Sequence, residues 1–460
     1  MSDLSGILQI GTDALKTQQK AIEITGHNIA NVNTPGYSRQ RVNMATNVPI
    51  PSSAGLMGTG VTAKEVVRIY DRFLDNQIDD ETQDLGRWES QKGALERVES
   101  FFNEASGSGL NQTMSEFWNA WQDLTNNPSG HVERVSLLGK SEIMAYQFQQ
   151  TYDGLSAMRT DLDASIVGTV DEINLKAAEI ADLNQKIIEA EGDGAHANDF
   201  RDARDLAVKD LSLMIDVTTY EESSGSINVS LKDGSSLVSG SDTSDLSTLV
   251  SDSGYRDVVW ASDPTGSINS KISGGKLKGW IEVRDVIIAG YMSNLEDLAD
   301  GIKDAVNDYH RVGYGLDDST GNDFFSGTLA GNNFAVDAGI AADSNKIAAA
   351  TGAGLPGDNG NAIAIAELQN ALMMNSNTTT FDNYYNSMVS SVGNKARQAA
   401  MSYDHHTAMV SYLENCRESI SGVSLDEEMV NLIQFQHGYN AAAKLISTTD
   451  ELLQALINMV

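Results

Sequence analysis

The sequence predicts a mainly α-helical protein with a small inserted β domain. Its two ends are expected to pair as a coiled-coil stem that carries a helical-bundle second domain and a β-rich outer domain. Three observations predict this fold. Both ends repeat apolar residues at every seventh position, which is the spacing of a helix–helix seam. Long stretches between the ends have the spacing of amphipathic helices. One internal stretch instead alternates apolar and polar residues and carries a hairpin signal at Asp233-Gly234.

The seven-residue repeats define a predicted assembly interface. At the N-terminal end the repeat consists of Leu8, Leu15, Ile22 and Ile29. At the C-terminal end it consists of Leu425, Leu432, Tyr439, Ile446 and Leu453, with a second series that includes Phe435 and Leu456. One helix alone cannot bury such a narrow apolar stripe, so we expect the ends to pair with each other and with neighbouring copies. The alternative is that each end packs on its own globular domain.

The order of these patterns predicts that the chain begins in the stem, forms a helical body with an inserted β domain, and ends in the stem again. The predicted stem comprises residues 1–36 and 424–460, the helical body 37–215 and 276–423, and the inserted β domain 216–275. Within the body, helices are predicted at about 153–191, 278–312 and 388–420. Ser424 and Glu427 form a capping-box pattern that predicts where the last helix begins.

Two expectations about stability follow from this division. Because helices flank the β insertion and could be rejoined, the segment from Ser223 to Ser273 is expected to be dispensable for assembly. The stem is expected to fray in an isolated copy, since a lone helix with a narrow apolar stripe is marginal in water.

Composition and residue patterns argue against several kinds of partner and structural feature. The chain has 31 Lys and Arg against 64 Asp and Glu, a formal net charge of -33, which argues against binding nucleic acid or an anionic membrane. No stretch is apolar over the length that a membrane span needs. The first ten residues lack the basic and continuous apolar regions of a cleaved signal peptide, so none is expected. Cys416 is the single cysteine, so an intramolecular disulfide is impossible.

Catalytic and cofactor motifs are absent from the sequence. There is no phosphate-binding Walker loop, no zinc-protease H-E-x-x-H and no nucleophile elbow. His405 and His406 are adjacent, so on a helix they point about 100° apart and do not chelate one metal. We therefore predict no enzyme activity, no cofactor and no metal centre. The acidic run Asp317 to Asp323 lacks the register of an EF-hand, and cation binding there stays an open alternative.

A short motif follows the first predicted helix. The run from Asn28 to Tyr37 reads Asn-Ile-Ala-Asn-Val-Asn-Thr-Pro-Gly-Tyr. Pro35 disfavours helix at the residue before it, and Pro35-Gly36 fits the centre of a type II turn, where glycine supplies the positive φ. The motif therefore predicts a helix stop followed by a tight turn.

This run resembles the N-terminal signature shared by flagellar rod, hook and hook-associated proteins. The positions that match are Asn28, Ile29, Ala30, Asn31, Asn33, Thr34, Gly36 and Tyr37, while His27 stands where the family usually has another asparagine. The far end, from Ser421 to Glu428 and on through Phe435-Gln436, is similar to the hook-associated branch of this family. The resemblance is strong over 1–80 and 380–460, moderate over 100–215 and 278–330, and absent over 216–275.

The resemblance implies a structural subunit of the bacterial flagellum at the junction between hook and filament. It implies export by the flagellar type III apparatus without a cleaved signal peptide, and an extracellular location. The implied partners are further copies in a ring, hook protein, the next hook-associated protein and an export chaperone at the C-terminal helix. The alternatives are hook protein or another axial subunit, a flagellar stem with a binding or hydrolase module in the β insertion, and a cytosolic coiled-coil scaffold.

Overall fold

A computed structural model describes residues 2–52, 55–102, 109–192 and 194–458. Helices supply most of the structure. They are α1 (Ser2–Ala30), α2 (Arg72–Phe101), α3 (Leu110–Asn126), α4 (His131–Glu191), α5 (Asn198–Met214), α6 (Gly275–Glu282), α7 (Ala289–Val312), α8 (Ala338–Ala342), α9 (Gly360–Glu367), α10 (Phe381–Ser421) and α11 (Leu425–Asn458). A π-helical segment, Val283–Ile288, joins α6 to α7, and short 3-10 turns lie at Ser344–Lys346 and Leu368–Asn370. The mainly helical fold predicted from the sequence is confirmed.

The strands form small antiparallel sheets. Near the N-terminus, β1 (Gln40–Thr46) pairs with β4 (Val61–Arg68), and β2 (Ile50–Ser52) pairs with β3 (Gly55–Met57). A four-stranded sheet contains β5 (Val217–Glu221), β6 (Ile227–Leu231), β7 (Ser236–Ser239) and β8 (Asp242–Thr243) in that order. A three-stranded sheet contains β9 (Leu246–Val250), β10 (Arg256–Trp260) and β11 (Asp263–Ser267), with β10 in the centre. Finally, β12 (Phe325–Ser326) pairs with β13 (Ala335–Val336).

The longest helix, α4, connects two hydrophobic cores. It has 61 residues, so it extends over about 90 Å. Its first part, which includes Leu137 and Phe148, packs with α3, α7, α9 and α10 in one core. Its later part, which includes Ile173 and Ile180, packs with α5, α6 and the strands in a second core. The predicted helix near 153–191 is therefore only the later part of α4, because the polar and small residues of 131–152 interrupt the apolar spacing on which that prediction depended.

The β strands share a core with the helical body. Val229, Val238 and Val258 are completely buried, and they belong to the same apolar cluster as Ile173 and Ile180 of α4. Small sheets with one apolar face need a partner layer to bury that face, and α4 and α5 supply it. Removing residues 223–273 would therefore expose one side of α4, while their dispensability for assembly stays a prediction.

The described helices include none with the length and apolar character needed to cross a membrane.

Candidate functional site

The two terminal helices form an antiparallel pair, here called the stem. Gly11 of α1 lies against Ile446, Gln18 against Gly438, and Asn28 against Glu428 of α11. As the α1 number rises, the number of its partner in α11 falls by almost the same amount, as an antiparallel pair with one fixed register requires. The two helices thus pair along most of their length.

Glycines allow the two helices to approach closely. A β-carbon on Gly11 would lie 2.8 Å from Cγ1 of Ile446, and one on Gly438 would lie 2.9 Å from Cδ of Gln18. Both distances are shorter than van der Waals contact; Gly11 favours glycine because Cγ1 of Ile446 is close to the backbone, whereas the flexible end of Gln18 can move away from Gly438. The apolar repeat did not predict these glycines, because a glycine adds nothing to a hydrophobic pattern. The sequence signal that could have found them is that glycine is a poor helix former, so a glycine inside a predicted helix indicates a close contact.

The predicted interface residues are only partly covered in a single copy. A first group is half-buried in the stem: Leu8, Leu15, Ile22, Ile29, Leu432, Phe435, Tyr439, Ile446 and Leu453. Leu425 and Leu456 are exposed. The most buried α11 residues are Glu428, Ala442 and Thr449, which lie on the second series rather than the first. The stem therefore leaves much apolar surface uncovered.

The β1–β4 hairpin packs on another face of α1. The Thr17 hydroxyl donates a hydrogen bond to the Val61 carbonyl over 3.3 Å, and Thr17, Ala21 and Asn28 are buried. Hence α1 contacts both α11 and the hairpin, while α11 contacts mainly α1. This asymmetry explains why apolar side chains of α11 remain exposed.

The signature motif ends α1 with the predicted turn. Gly36 has φ of +77°, and the Tyr37 N–H donates to the Thr34 carbonyl over 3.2 Å. These two features are those of a type II turn across Pro35-Gly36. Asn31 caps the helix, since its side-chain amide donates to the His27 carbonyl over 3.0 Å and its Oδ1 accepts from the Thr34 hydroxyl over 3.1 Å. By contrast, Ala30, Asn33 and Thr34 are exposed.

Asn28 is the centre of the contact region between stem and body. This region, here called the joint, also includes Tyr37, Arg39, Gln40 and Glu428. Its side chain is only 1% exposed and makes four hydrogen bonds. Its Nδ2 donates to the Gln40 carbonyl at 2.9 Å and to Glu428 Oε2 at 3.1 Å. Its Oδ1 accepts from the Gln40 N–H at 2.9 Å and from the Tyr37 hydroxyl at 2.8 Å. All four hydrogen-bonding positions of the carboxamide are therefore used, and they connect α1, the turn, β1 and α11.

An ion pair completes this joint. Glu428, only 2% exposed, accepts from Arg39 Nε at 2.8 Å, and Arg39 Nη1 donates to Glu427 Oε2 at 2.8 Å. Helix α11 begins at Leu425, directly after the predicted capping residue Ser424. The carboxylate of Glu427, the other residue of the predicted capping box, pairs with Arg39. The joint is held by charge-assisted hydrogen bonds, which are about twice as strong as neutral ones. Sequence spacing could not predict this pairing across nearly the whole chain.

Helix α5 attaches the joint to the body. The Ser38 N–H donates to Asp202 Oδ2 at 2.8 Å, and Arg68 Nη1 donates to Asp202 Oδ1 at 2.9 Å and to Asp205 Oδ2 at 2.6 Å. Burial raises the pKa of Asp202, while the hydrogen bond from Ser38 and the charge of Arg68 oppose that rise. Burial, together with the nearby carboxylate of Asp199, also raises the pKa of Tyr37. The hydroxyl therefore stays protonated and remains a donor to Asn28.

A polar cleft of about 510 Å³ lies beside the joint, between α2, α5 and α10. Arg417 of α10 lines it, donates from Nη2 to the Gly36 carbonyl at 3.0 Å and pairs through Nε with Asp75 at 3.2 Å. Burial raises the pKa of Asp75 to about 6, against the opposing charge of Arg417. Burial also raises the pKa of Asp79, and Asp205 and Asp75 add to that rise. Across the described part of the chain, His, Cys, Asp and Glu side chains form no cluster of three or more suited to a metal ion.

Comparison with family models gives three matches. Residues 95–325 match the helical domain of flagellar hook-associated protein FlgK. Residues 8–37 match the flagella basal body rod protein model, and residues 417–459 match the C-terminal model of the flagellar basal body rod FlgEFG proteins. The last two matches include most of α1 and all described residues of α11.

Similar proteins extend over the whole chain. The sequence is 32% identical to flagellar hook-associated protein 1 of Bacillus subtilis, covering 98% of this chain and 97% of that protein. It is 27% identical to flagellar hook-associated protein 1 of Escherichia coli, covering 99% and 100%. The structure of the flagellar hook junction protein FlgK from Burkholderia pseudomallei superimposes with a TM-score of 0.69 at 16% identity, over 75% of this chain and 100% of that one, which supports the fold alone. With these matches over its full length, the chain belongs to the flagellar hook-associated protein 1 family.

Proposed function

We propose that this protein is a structural, non-catalytic subunit at the junction between flagellar hook and filament. The observation that carries the proposal is the full-length similarity to flagellar hook-associated protein 1, together with a stem whose apolar residues are only partly covered in one copy. A subunit that works alone would gain nothing from leaving such surface in water, whereas a polymerising subunit buries it against neighbours.

The finer parts of the proposal concern partners and export. Copies of the chain form a ring through the stem, which contacts hook protein on one side and the next hook-associated protein on the other. Before assembly, an export chaperone covers part of α11, and the chain leaves the cell through the flagellar type III apparatus without a cleaved signal peptide. The predicted interface residues described above supply these contacts.

The joint explains how a stem could transmit load. Asn28, Arg39 and Glu428 connect α1, β1 and α11, and Asp202 connects the same region to α5. In the proposed junction subunit, these contacts hold the stem in one orientation relative to the body. A buried, fully bonded polar network supports that role, because it specifies one arrangement of the elements it joins.

The test is deletion of the gene followed by complementation with an epitope-tagged copy. We expect gold-labelled antibody at the distal end of the hook, and filament subunits released into the medium when the protein is missing. A tag placed in the exposed turn at 252–254, which is far from the stem in sequence, provides the labelled form. Filaments that remain attached to hooks in the deletion strain would contradict the proposal.

A further inference from the structure

An arm whose described residues are 47–52 and 55–60 extends from the end of the β1–β4 hairpin. Within it, β2 and β3 pair with Ile50 opposite Met57. Four large apolar side chains of this short segment are exposed, and two of them are exposed almost completely, Val48 at 83% and Leu56 at 74%, with Ile50 and Met57 less so. The segment contains no charged residue in a chain of net charge -33. An uncharged, exposed apolar hairpin is a surface that binds another protein or aggregates.

The root of the arm is fixed to α1. The Asn47 N–H donates to the Gly60 carbonyl at 2.9 Å, and Asn47 Nδ2 donates to Asp13 Oδ2 at 3.2 Å. A β-carbon on Gly60 would lie 3.4 Å from the Cα of Ile10. These contacts hold the arm at the level of residues 10–13 of α1, so its position along the stem is defined.

A second exposed apolar patch lies on α11 near that level. Gly11 of α1 faces Ile446 and Leu445, so the root of the arm and Leu445 are at the same height on the stem. Leu445, Leu452, Leu456 and Ile457 are exposed, and Ile457 is exposed to 72%. Leu452 is two turns beyond Leu445, about 10 Å further along the helix. The run from Leu452 to Ile457 is also free of charge.

The arm and the α11 patch lie on different sides of α1. Helix α1 uses one face for α11 and another for the hairpin from which the arm extends. A contact between two different patches of neighbouring copies is heterologous, and such contacts close into rings or continue as helices. Leu445 lies at the height of the root of the arm and Leu452 about 10 Å further along α11, so the contact with Leu452 needs a displacement of about 10 Å along the stem axis.

Charge favours these two patches over the rest of the surface. Two copies that each carry a net charge of -33 repel wherever their acidic surfaces meet. The arm and the segment from Leu452 to Ile457 avoid that repulsion because neither contains a charged side chain.

We infer that the arm of one copy docks on the exposed α11 patch of the next copy, so that Leu56 and its neighbours cover the surface around Leu452. The partner that the arm binds is therefore a second copy of this chain. This inference rests on the proposed function in one respect, namely that the chain polymerises through its stem.

Crosslinking between two separately marked copies tests the contact. One copy carries Leu56→Cys and the other Leu452→Cys, both with Cys416→Ala, and the two are expressed together in cells that build flagella. Isolated hook–filament junctions are oxidised and examined on non-reducing gels. We expect a crosslinked dimer from the mixed pair, and at least a tenfold weaker band when Tyr220→Cys, an exposed position on β5, replaces Leu56→Cys.

The outcomes separate this inference from the proposed function. If both cysteine variants reach the junction in normal amounts and the mixed pair gives no dimer above the Tyr220→Cys control, the arm does not dock on α11. If unmodified protein never reaches the junction, the proposed function fails instead. If a cysteine variant blocks assembly, Leu456→Cys replaces Leu452→Cys. In addition, the incorporation of Leu56→Met into the junction is compared with that of Leu56→Asp, and equal incorporation of these two variants overturns the inference. A dimer that forms only with a different flagellar protein would also overturn it.

Discussion

The side-chain amide of Asn28 donates to the carboxylate of Glu428 across 3.1 Å, which joins residues 400 positions apart at the point where the stem meets the body. Glu428 also accepts from Arg39, and each of these groups is at least partly removed from water. A contact of this kind allows one pairing register, whereas a seven-residue apolar repeat also tolerates a shift by seven.

Removing the Glu428 carboxylate should loosen the stem. Glu428→Ala leaves Arg39 and the Asn28 amide without their buried acceptor, and breaking a buried ion pair costs about 3–5 kcal/mol, reduced here to roughly 2 because Arg39 is partly exposed. Amide hydrogen exchange of α1 and α11 measures the change. Glu427→Ala is the matched control, since its carboxylate is mostly exposed, and it should alter exchange much less. Equal effects of the two substitutions would argue against the buried joint.

Close helix contact at Gly11 should make that glycine intolerant of a side chain. Gly11→Ala places a methyl group 2.8 Å from Ile446, whereas Gly26→Ala meets no heavy atom within 4 Å. Both changes favour helix by about 0.5–1 kcal/mol, so the difference between them isolates the steric cost. We expect Gly26→Ala to protect stem amides better than the parent does and Gly11→Ala to protect them less well than Gly26→Ala. Identical behaviour of the two variants would mean that α1 and α11 are further apart.

Deleting the strands should damage the body. Replacing 223–273 by a short linker removes Val229, Val238 and Val258 and uncovers Ile173 and Ile180. Removing one large buried apolar side chain already costs about 2–5 kcal/mol, so loss of this whole layer should produce an aggregating or partly unfolded product. Thermal unfolding followed by circular dichroism measures it. Shortening only the exposed turn at 252–254 is the control and should change little. A deletion variant that melts cooperatively at the parent temperature would contradict a shared core and would favour the prediction that residues 223–273 are dispensable.

Protonation of Asp75 should stabilise the cleft. Burial raises the pKa of this carboxyl from 3.8 to about 6, so between these values the folded protein binds more protons than the unfolded chain. Stability contributed by this group therefore increases as the pH falls from 7 to 4, by at most about 3 kcal/mol. Because other carboxylates titrate over the same range, the quantity to compare is the difference between parent and Asp75→Asn in free energy of unfolding. We expect the parent to gain on the variant with acidification; a constant or opposite difference would contradict a raised pKa.

The parts predicted well from sequence are those set by local periodicity and turn chemistry. The repeats of Leu8 to Ile29 and Leu425 to Leu453 predicted two long terminal helices, and Pro35-Gly36 predicted the turn that the structure contains. These features depend on residues close together in the chain. The hairpin signal at Asp233-Gly234 likewise lies between two paired strands, β6 and β7.

Features that depend on distant residues were not predicted. Glu428 lies in the first turn of α11, and no residue near it in sequence indicates Arg39 and Asn28 as its partners. Val258 and Ile180 lie in one core, but apolar spacing within a predicted strand or helix does not indicate which strand packs on which helix. Which stem residues contact neighbouring copies is still a prediction, because one chain shows only where its own surface is uncovered.

The central claim is that copies of this protein assemble through the stem. Substitutions at two adjacent residues of α11 test it most directly. Ile433 and Gln434 are both exposed in a single copy, so an aspartate at either position should leave the monomer's unfolding temperature unchanged. If neighbouring copies cover the apolar stem, Ile433→Asp puts a charge into an apolar part of that contact, whereas Gln434→Asp adds the same charge at a position that is already polar. Gold labelling of the hook tip in the deletion strain then gives the answer. The account predicts normal labelling and attached filaments with Gln434→Asp, and loss of both with Ile433→Asp; full labelling with Ile433→Asp, at unchanged export, would contradict it.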